Sequence, residues 1–112
     1  MMSDCIFCKI VAGEIPSPRL YEDDKIIVIK DVNPGAPVHA LVIPKEHTDN
    51  ILTASEAIVL HVKNKLPEII KILGVEEKGF RIVVNTGEWG GQSVNHLHFH
   101  ILGGKELGWP PC

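Results

Sequence analysis

The stretch His96-Leu97-His98-Phe99-His100-Ile101-Leu102 constrains this chain more than any other. From His96 to Ile101 polar and apolar residues alternate, which is the period of a half-buried strand. Successive side chains on a strand point to opposite faces, so His96, His98 and His100 line one face and Leu97, Phe99 and Ile101 the other. The apolar face serves as core and fixes the register, because a slip of one residue would bury all three imidazoles. Three of the six histidines fall within these five residues. A merely polar edge would be served equally well by Thr, Lys or Glu. Same-face neighbours on a regular strand lie about 7 Å apart and the outer pair about 13 Å. A zinc–nitrogen bond is about 2 Å, so one ion cannot gather all three rings. The rings must divide their labour: one or two at most bind metal, and the rest are free for chemistry or phosphate contact.

The 112 residues fit one domain, 1–112, and the 45% apolar content is enough for a core. A domain of this size leaves much surface for its volume, so pairing with a second copy would help it. The formal charge of −3 argues against a non-specific nucleic-acid binder, which carries a basic field. Met1-Met2-Ser3-Asp4 lacks the basic segment and apolar run of a secretory leader. No apolar stretch approaches the length of a membrane span. The three cysteines, two of them in Cys5-x-x-Cys8, do not make a disulfide framework, and a cytoplasmic setting is expected.

In chain order, Cys5 to Ala12 reads as a short helix closed by Gly13. Short strands follow at Arg19–Glu22, Lys25–Asp31 and His39–Pro44, with the turn-rich loop Asn33-Pro34-Gly35-Ala36-Pro37 before the third. Thr53-Ala-Ser-Glu56 has capping-box spacing. The helix it opens carries a stripe at Val59, Val62, Leu66, Ile69, Ile70 and Leu73 and ends at Gly74. Pro67 inside that helix should kink or divide it. Phe80–Thr86 is a fourth strand, Gly87–Gly91 a loop, and the histidine stretch a fifth strand. Short connections between consecutive strands predict an antiparallel sheet and the α+β class.

Gly90-Gly91-Gln92-Ser93 precedes the histidines. Alone it reads as a tight turn; beside three imidazoles, its N–H groups and hydroxyl become phosphate contacts. The only basic residue near the stretch is Lys105, whereas a polyphosphate would want Arg or Lys clamps. The expected reacting group is therefore a mono-phosphate ester or amide. A neutral imidazole is a good nucleophile near pH 7 and can form a covalent phosphorus intermediate. His98, flanked by two others, is the candidate, with His100 donating to a phosphate oxygen. Cys5-x-x-Cys8 has zinc-ligand spacing and needs two more ligands; His47 and one histidine of the stretch are available. Buried thiols or a redox pair are the alternatives. His61 reads as surface, Asp31 as an exposed strand-end carboxylate or a sugar-hydroxyl acceptor, and Trp89 and Trp109 as packing residues.

The His-φ-His-φ-His-φ-φ pattern resembles the signature of the histidine triad (HIT) family. Gly90 to Asn95, Leu102-Gly103-Gly104 and the Trp109-Pro110-Pro111 tail are similar to its Hint branch. So are Glu14-Ile15-Pro16, Tyr21 to Asp24, Ala36 to His39, Val42 to Lys45 and Val83 to Asn85. The resemblance spans nearly the whole chain. It implies a five-stranded antiparallel sheet with one long and one short helix, two sheets joining as ten strands in a homodimer. It also implies hydrolysis of the P–N bond of purine nucleoside phosphoramidates through a nucleotidyl-histidine, with no organic cofactor. Of the runner-up readings, a dinucleoside-polyphosphate hydrolase of the Fhit branch fits the tail less well, and a nucleotidyl transferase usually lacks the third histidine. A nucleotide-binding scaffold or sensor is the non-enzyme alternative. By this resemblance His98 is the nucleophile, His100 and His39 assist it, and Ser93 stands near the leaving amine. Asn85, Gly91, Gln92 and Val94 fall on the nucleotide side and Asp31 is the ribose acceptor. Ile6, Phe7, Ile10, Ile15, Ile29, Val32 and Leu41 form the purine pocket, and Trp109 reaches the partner subunit's site. Cys5, Cys8, His47 and His96 match a structural zinc site of bacterial members. The implied partners are a purine nucleotide and a second copy of the chain, with no nucleic acid and no membrane.

Overall fold

The computed structural model describes residues 4–111; most of the start read as leader-free, and the tail residue Cys112, lie outside them. The elements run α1 (Ile6–Val11), β1 (Arg19–Glu22), β2 (Ile26–Lys30), β3 (Val38–Pro44), α2 (Glu56–Leu73), β4 (Arg81–Val83) and β5 (Phe99–Gly103). The strands form one antiparallel sheet in the order β1-β2-β3-β5-β4, so β5 inserts between β3 and β4. This is the expected α+β arrangement, with one long and one short helix.

The near-continuous apolar runs of β2 and β3 follow from covering both faces of the sheet. On one face Ile26, Val28, Ala40, Val42, Phe99 and Ile101 pack with Val62, Ile69 and Ile70 of α2. On the other, Ile27, Ile29, Leu41 and Ile43 meet Phe7 and Ile10 of α1. Leu97, Phe99 and Ile101 are buried, as the alternation predicts. The opposite, imidazole-bearing side is not open to water, however: His98 is 5% exposed, and His96 is also buried. α1 lies over this side, with the Phe7 ring edge-on to both imidazoles.

The histidine stretch is also less regular than expected. Ladder pairing begins at Phe99, because the Leu97 N–H donates to the Thr48 carbonyl at 2.7 Å. That bond draws 96–98 toward the segment after β3. β4 is likewise shorter than 80–86, because Val84 to Thr86 lead into the glycine turn.

Ser55, not Thr53, caps α2, its hydroxyl accepting the Ile58 N–H at 3.2 Å. Thr53 belongs to the preceding Asn50 turn and pairs with the Thr48 hydroxyl. Pro67 does not divide α2. It is on the exposed side, and the buried Val62, Ile69 and Ile70 on either side of it hold the helix to the sheet. Gly74 closes α2 at φ +72°, a conformation that suits glycine.

Candidate active site and metal centre

Two clusters share the imidazoles. In the first, donor atoms of Cys5, Cys8, His47 and His96 all lie within 4.8 Å of one another. Cys5 is the N-cap of α1 and Cys8 sits one turn on, which turns both thiols toward the end of β3 and the start of the histidine stretch. Sγ of Cys8 is 3.3 Å from Nδ1 of His47 and 3.5 Å from Nδ1 of His96, and Sγ of Cys5 is 3.3 Å from the latter. Ligands around a tetrahedral zinc, with bonds of about 2.3 Å to sulfur and about 2.0 Å to nitrogen, stand about 3.5 Å apart. The far nitrogens fit as well. Nε2 of His47 donates to Asp49 Oδ1 at 3.0 Å and Nε2 of His96 to the Pro44 carbonyl at 2.8 Å. Those bonds leave both Nδ1 lone pairs facing the thiols, as metal-binding imidazoles require. The four residues therefore could hold a metal ion. Burial, the hydrogen bond with Cys5 and the charge of Cys5 push the Cys8 thiol up to about 11, so an incoming cation must displace its proton.

The second cluster holds His39, His98 and His100. His98 donates through Nδ1 to the carbonyl of His96 at 2.8 Å. Its Nε2 has no hydrogen bond among the described residues, where no buried polar side-chain atom lacks a partner, so Nε2 is the open end of the ring. The His100 ring lies 5.0 Å from that of His98, closer than the spacing of a regular strand. Burial, followed by the neighbouring His98 and His39, holds the His100 pKa below the ordinary imidazole value. Across the β3–β5 ladder, Nε2 of His39 is 2.9 Å from Nδ1 of His100 and 3.3 Å from Oδ2 of Asp31. The Gly35 N–H reaches Nδ1 of His39 at 2.9 Å. Asp31 is thus half-buried and paired rather than an exposed strand end.

The glycine turn before the histidines is held largely by its own hydrogen bonds. Gly91 and Gln92 donate their N–H groups to the carbonyls of Glu88 and Gly87. A Cβ on Gly90 would collide with the Thr86 carbonyl oxygen, so glycine there is a packing requirement. The Gln92 side chain accepts from Gly87 N–H and donates to the carbonyls of Asp49 and Val94, and Asn85 donates to Gly90. Gln92 and Asn85 are braces of the turn. Ser93 emerges exposed beyond it, with no hydrogen bond among the described residues.

Phe7, Ile10, Ile29 and Leu41 share one apolar cluster, with Ile15 and Val94 against it. Ile6 is exposed and Val32 is 91% exposed, both outside that cluster. Trp89 and Trp109 are 99% and 82% exposed, so they are not packing residues within this chain. His61 is not simply surface: Nε2 donates to Asp23 Oδ2 at 2.9 Å, half-buried between α2 and the β1–β2 turn. A hollow of about 500 Å³ is lined by Ser93, Val94, Asp4 and Asp49, and one of about 320 Å³ by Asp31, His39, Pro34 and Pro37. His98 and His100 line neither. Sequence reasoning missed Asp49, the Pro44 carbonyl and the Gly35 amide. The spacing His47-x-Asp49 is a usable signal for the first, whereas the other two are backbone groups that no residue type announces.

The HIT domain family model matches residues 12–107. Protein HitA of Neisseria gonorrhoeae is 47% identical over 105 residues, covering 91% of this chain and 97% of its own. A solved histidine triad protein from Clostridium difficile superposes with a TM-score of 0.90 at 47% identity, covering 96% of each chain. A HIT family hydrolase from Legionella pneumophila gives 0.91 at 38% identity, covering 96% of this chain and 99% of its own.

Proposed function

Because the chain belongs to the HIT domain family, some of whose solved members are named hydrolases, we propose that it hydrolyses purine nucleoside phosphoramidates through a nucleotidyl-histidine on His98. The observation that carries this reading is the tether of His98. With Nδ1–H donated to the His96 carbonyl, the lone pair of the ring is on Nε2, its open end.

In the first step the Nε2 lone pair of His98 forms a bond to phosphorus. The P–N bond breaks and its electron pair goes to the departing nitrogen, which takes a proton from solvent by way of the Ser93 hydroxyl. The positive charge that develops on the His98 ring is held by the His96 carbonyl through Nδ1–H. His100 donates to a phosphoryl oxygen. In the second step water attacks phosphorus, the P–Nε2 bond breaks with its pair returning to Nε2, and the water proton passes to solvent. The products are a nucleoside monophosphate and an amine. Asp31 accepts a ribose hydroxyl, and Phe7, Ile10, Ile29 and Leu41 offer the apolar wall for a purine.

Cys5, Cys8, His47 and His96 are the residues that would hold zinc. With all four positions filled by protein, the ion would supply cross-linking and no reactive water. Its benefit to catalysis is indirect, since His96 presents the carbonyl that holds His98.

Incubating the protein with an adenosine phosphoramidate should release AMP. His98→Ala should lower the rate by about a thousandfold or more while leaving AMP affinity within about threefold. A strong preference for dinucleoside polyphosphates would move the reading to that hydrolase class, and nucleotide binding without turnover would make the chain a sensor.

A further inference from the structure

We infer that the backbone amide of Gly35 sets the direction of the hydrogen-bond chain that ends at the outer nitrogen of His100, making the Asn33–Pro37 loop a positioning element of the active site. A backbone N–H can only donate. Nδ1 of His39, 2.9 Å from the Gly35 nitrogen, is therefore an acceptor and carries no proton. The ring hydrogen is on Nε2, which lies 2.9 Å from Nδ1 of His100 and 3.3 Å from Asp31 Oδ2. Nδ1 of His100 accepts in turn, so its hydrogen is on Nε2, the far side of the ring from His39. The chain ends in a donor, which is what a phosphoryl oxygen requires. Were Nδ1 of His39 protonated instead, every link would invert, and His100 would present a lone pair to a negatively charged oxygen.

Asp31, His39 and His100 also have the composition of a metal site. A metal on Nε2 of His39 would need the ring proton on Nδ1, against the Gly35 N–H. At the Cys5 cluster both imidazoles instead rest their far nitrogens on acceptors, Asp49 and the Pro44 carbonyl. The same comparison thus allots one cluster to metal and the other to protons.

The loop is held in place to do this. Asp31 Oδ1 accepts the Asn33 N–H at 2.8 Å, and the Asp31 N–H donates to the His39 carbonyl at 2.9 Å. Pro34 and Pro37 restrict the backbone on either side. A Cβ on Gly35 would meet its nearest atom, Nδ1 of His39, at 3.8 Å, an ordinary contact. Gly35→Ala therefore keeps the amide, and Gly35→Pro deletes it.

Only the role given to the outer nitrogen of His100 rests on the phosphoramidase reading; the tautomers are read without substrate. Two-bond proton–nitrogen NMR on the labelled, metal-loaded protein should show His39 and His100 each protonated at Nε2 and bare at Nδ1. A protonated Nδ1 on His39 overturns the inference, whether or not any variant folds. In Gly35→Pro, His39 should lose its single tautomer. Its kcat on an adenosine phosphoramidate should fall about tenfold, with KM within about threefold. Gly35→Ala should recover the wild-type tautomer. A Gly35→Pro protein with the wild-type tautomer and kcat also overturns the inference. If the wild type turns over no phosphoramidate but shows the expected tautomers, the functional reading fails and the role of Gly35 stands.

Discussion

At the scale of single residues, the hydrogen bonds to ring nitrogens distinguish the histidines more clearly than their positions in the sequence do. His96 and His47 turn Nδ1 toward thiols, His98 keeps Nε2 free, and His39 and His100 are linked in a hydrogen-bond chain that starts at Gly35. The division of labour was legible from strand geometry, because one ion cannot collect rings about 7 Å apart. Which nitrogen each ring uses depends on backbone groups brought in by folding, and no spacing in the sequence reveals them. Asp23 ties the β1–β2 turn to α2 through His61. Burial pushes its carboxyl up, but hydrogen bonds from Lys25 N–H, His61, Tyr21 and Ile26 N–H outweigh this and hold it well below the ordinary carboxylate range. The folded chain thus binds this proton more weakly than the unfolded chain does. The contribution to stability is complete above the ordinary carboxylate pKa and drains away as pH falls through and below it. Asp23→Asn should lower stability by about 1–3 kcal/mol at pH 7. Thermal melts should show the gap to wild type closing below about pH 4. A gap constant with pH would contradict the assignment.

At the scale of elements, α1 is the piece on which the site depends. It is only six residues long, too short to hold its shape without tertiary contacts. Phe7 and Ile10 anchor it to the sheet, and Cys5 and Cys8 bind its first turn to His47 and His96. Metal at that cluster would therefore hold the lid over His98 as well as the carbonyl that orients it. Free metal at a thousand times its Kd would add about 4 kcal/mol of stability. Removing metal with a chelator, or making Cys8→Ser, should lower the melting temperature by several degrees and speed amide exchange in α1. Acidification should release metal too, since thiol protons compete with it. Metal analysis of gently purified protein showing well under one zinc per chain would contradict this account. The sheet, α2 and the apolar side of β5 were legible from periodicity. The Thr53 cap was misread because Asn50, Thr48 and Thr53 build a turn of their own. The cover that α1 gives the imidazole side of β5 is not legible in the sequence, because α1 comes from far away in the chain and a strand pattern cannot report what lies on top of it. Within Gly90 to Ser93, the Gly91 and Gln92 N–H groups close the turn on Glu88 and Gly87, and the Gln92 and Asn85 side chains brace it, contacts that no spacing in the sequence announces.

At the scale of the whole molecule, the sheet ends on one side at β4, a three-residue strand with one ladder partner. Ile82 on that strand is 39% exposed, and Phe80 just before it is also exposed. An unpaired edge with apolar side chains calls for a partner. We propose that two copies join at their β4 edges into one ten-stranded sheet, an arrangement that would let Trp109 reach the other copy. Sedimentation should find dimers of the wild type, and Ile82→Lys should shift them toward monomer; a wild-type monomer at micromolar concentration would contradict the pairing. No helix among the described residues is long and apolar enough to cross a membrane. The proposed covalent bond from His98 to phosphorus can be caught in the first turnover. The protein is mixed with an adenosine phosphoramidate, quenched in the first turnover, and its intact mass and peptides are read. The spectra should show a gain of one adenylyl group, carried on His98 and absent from His98→Ala. Release of AMP with no adduct on any histidine, at a rate that His98→Ala leaves unchanged, would contradict it.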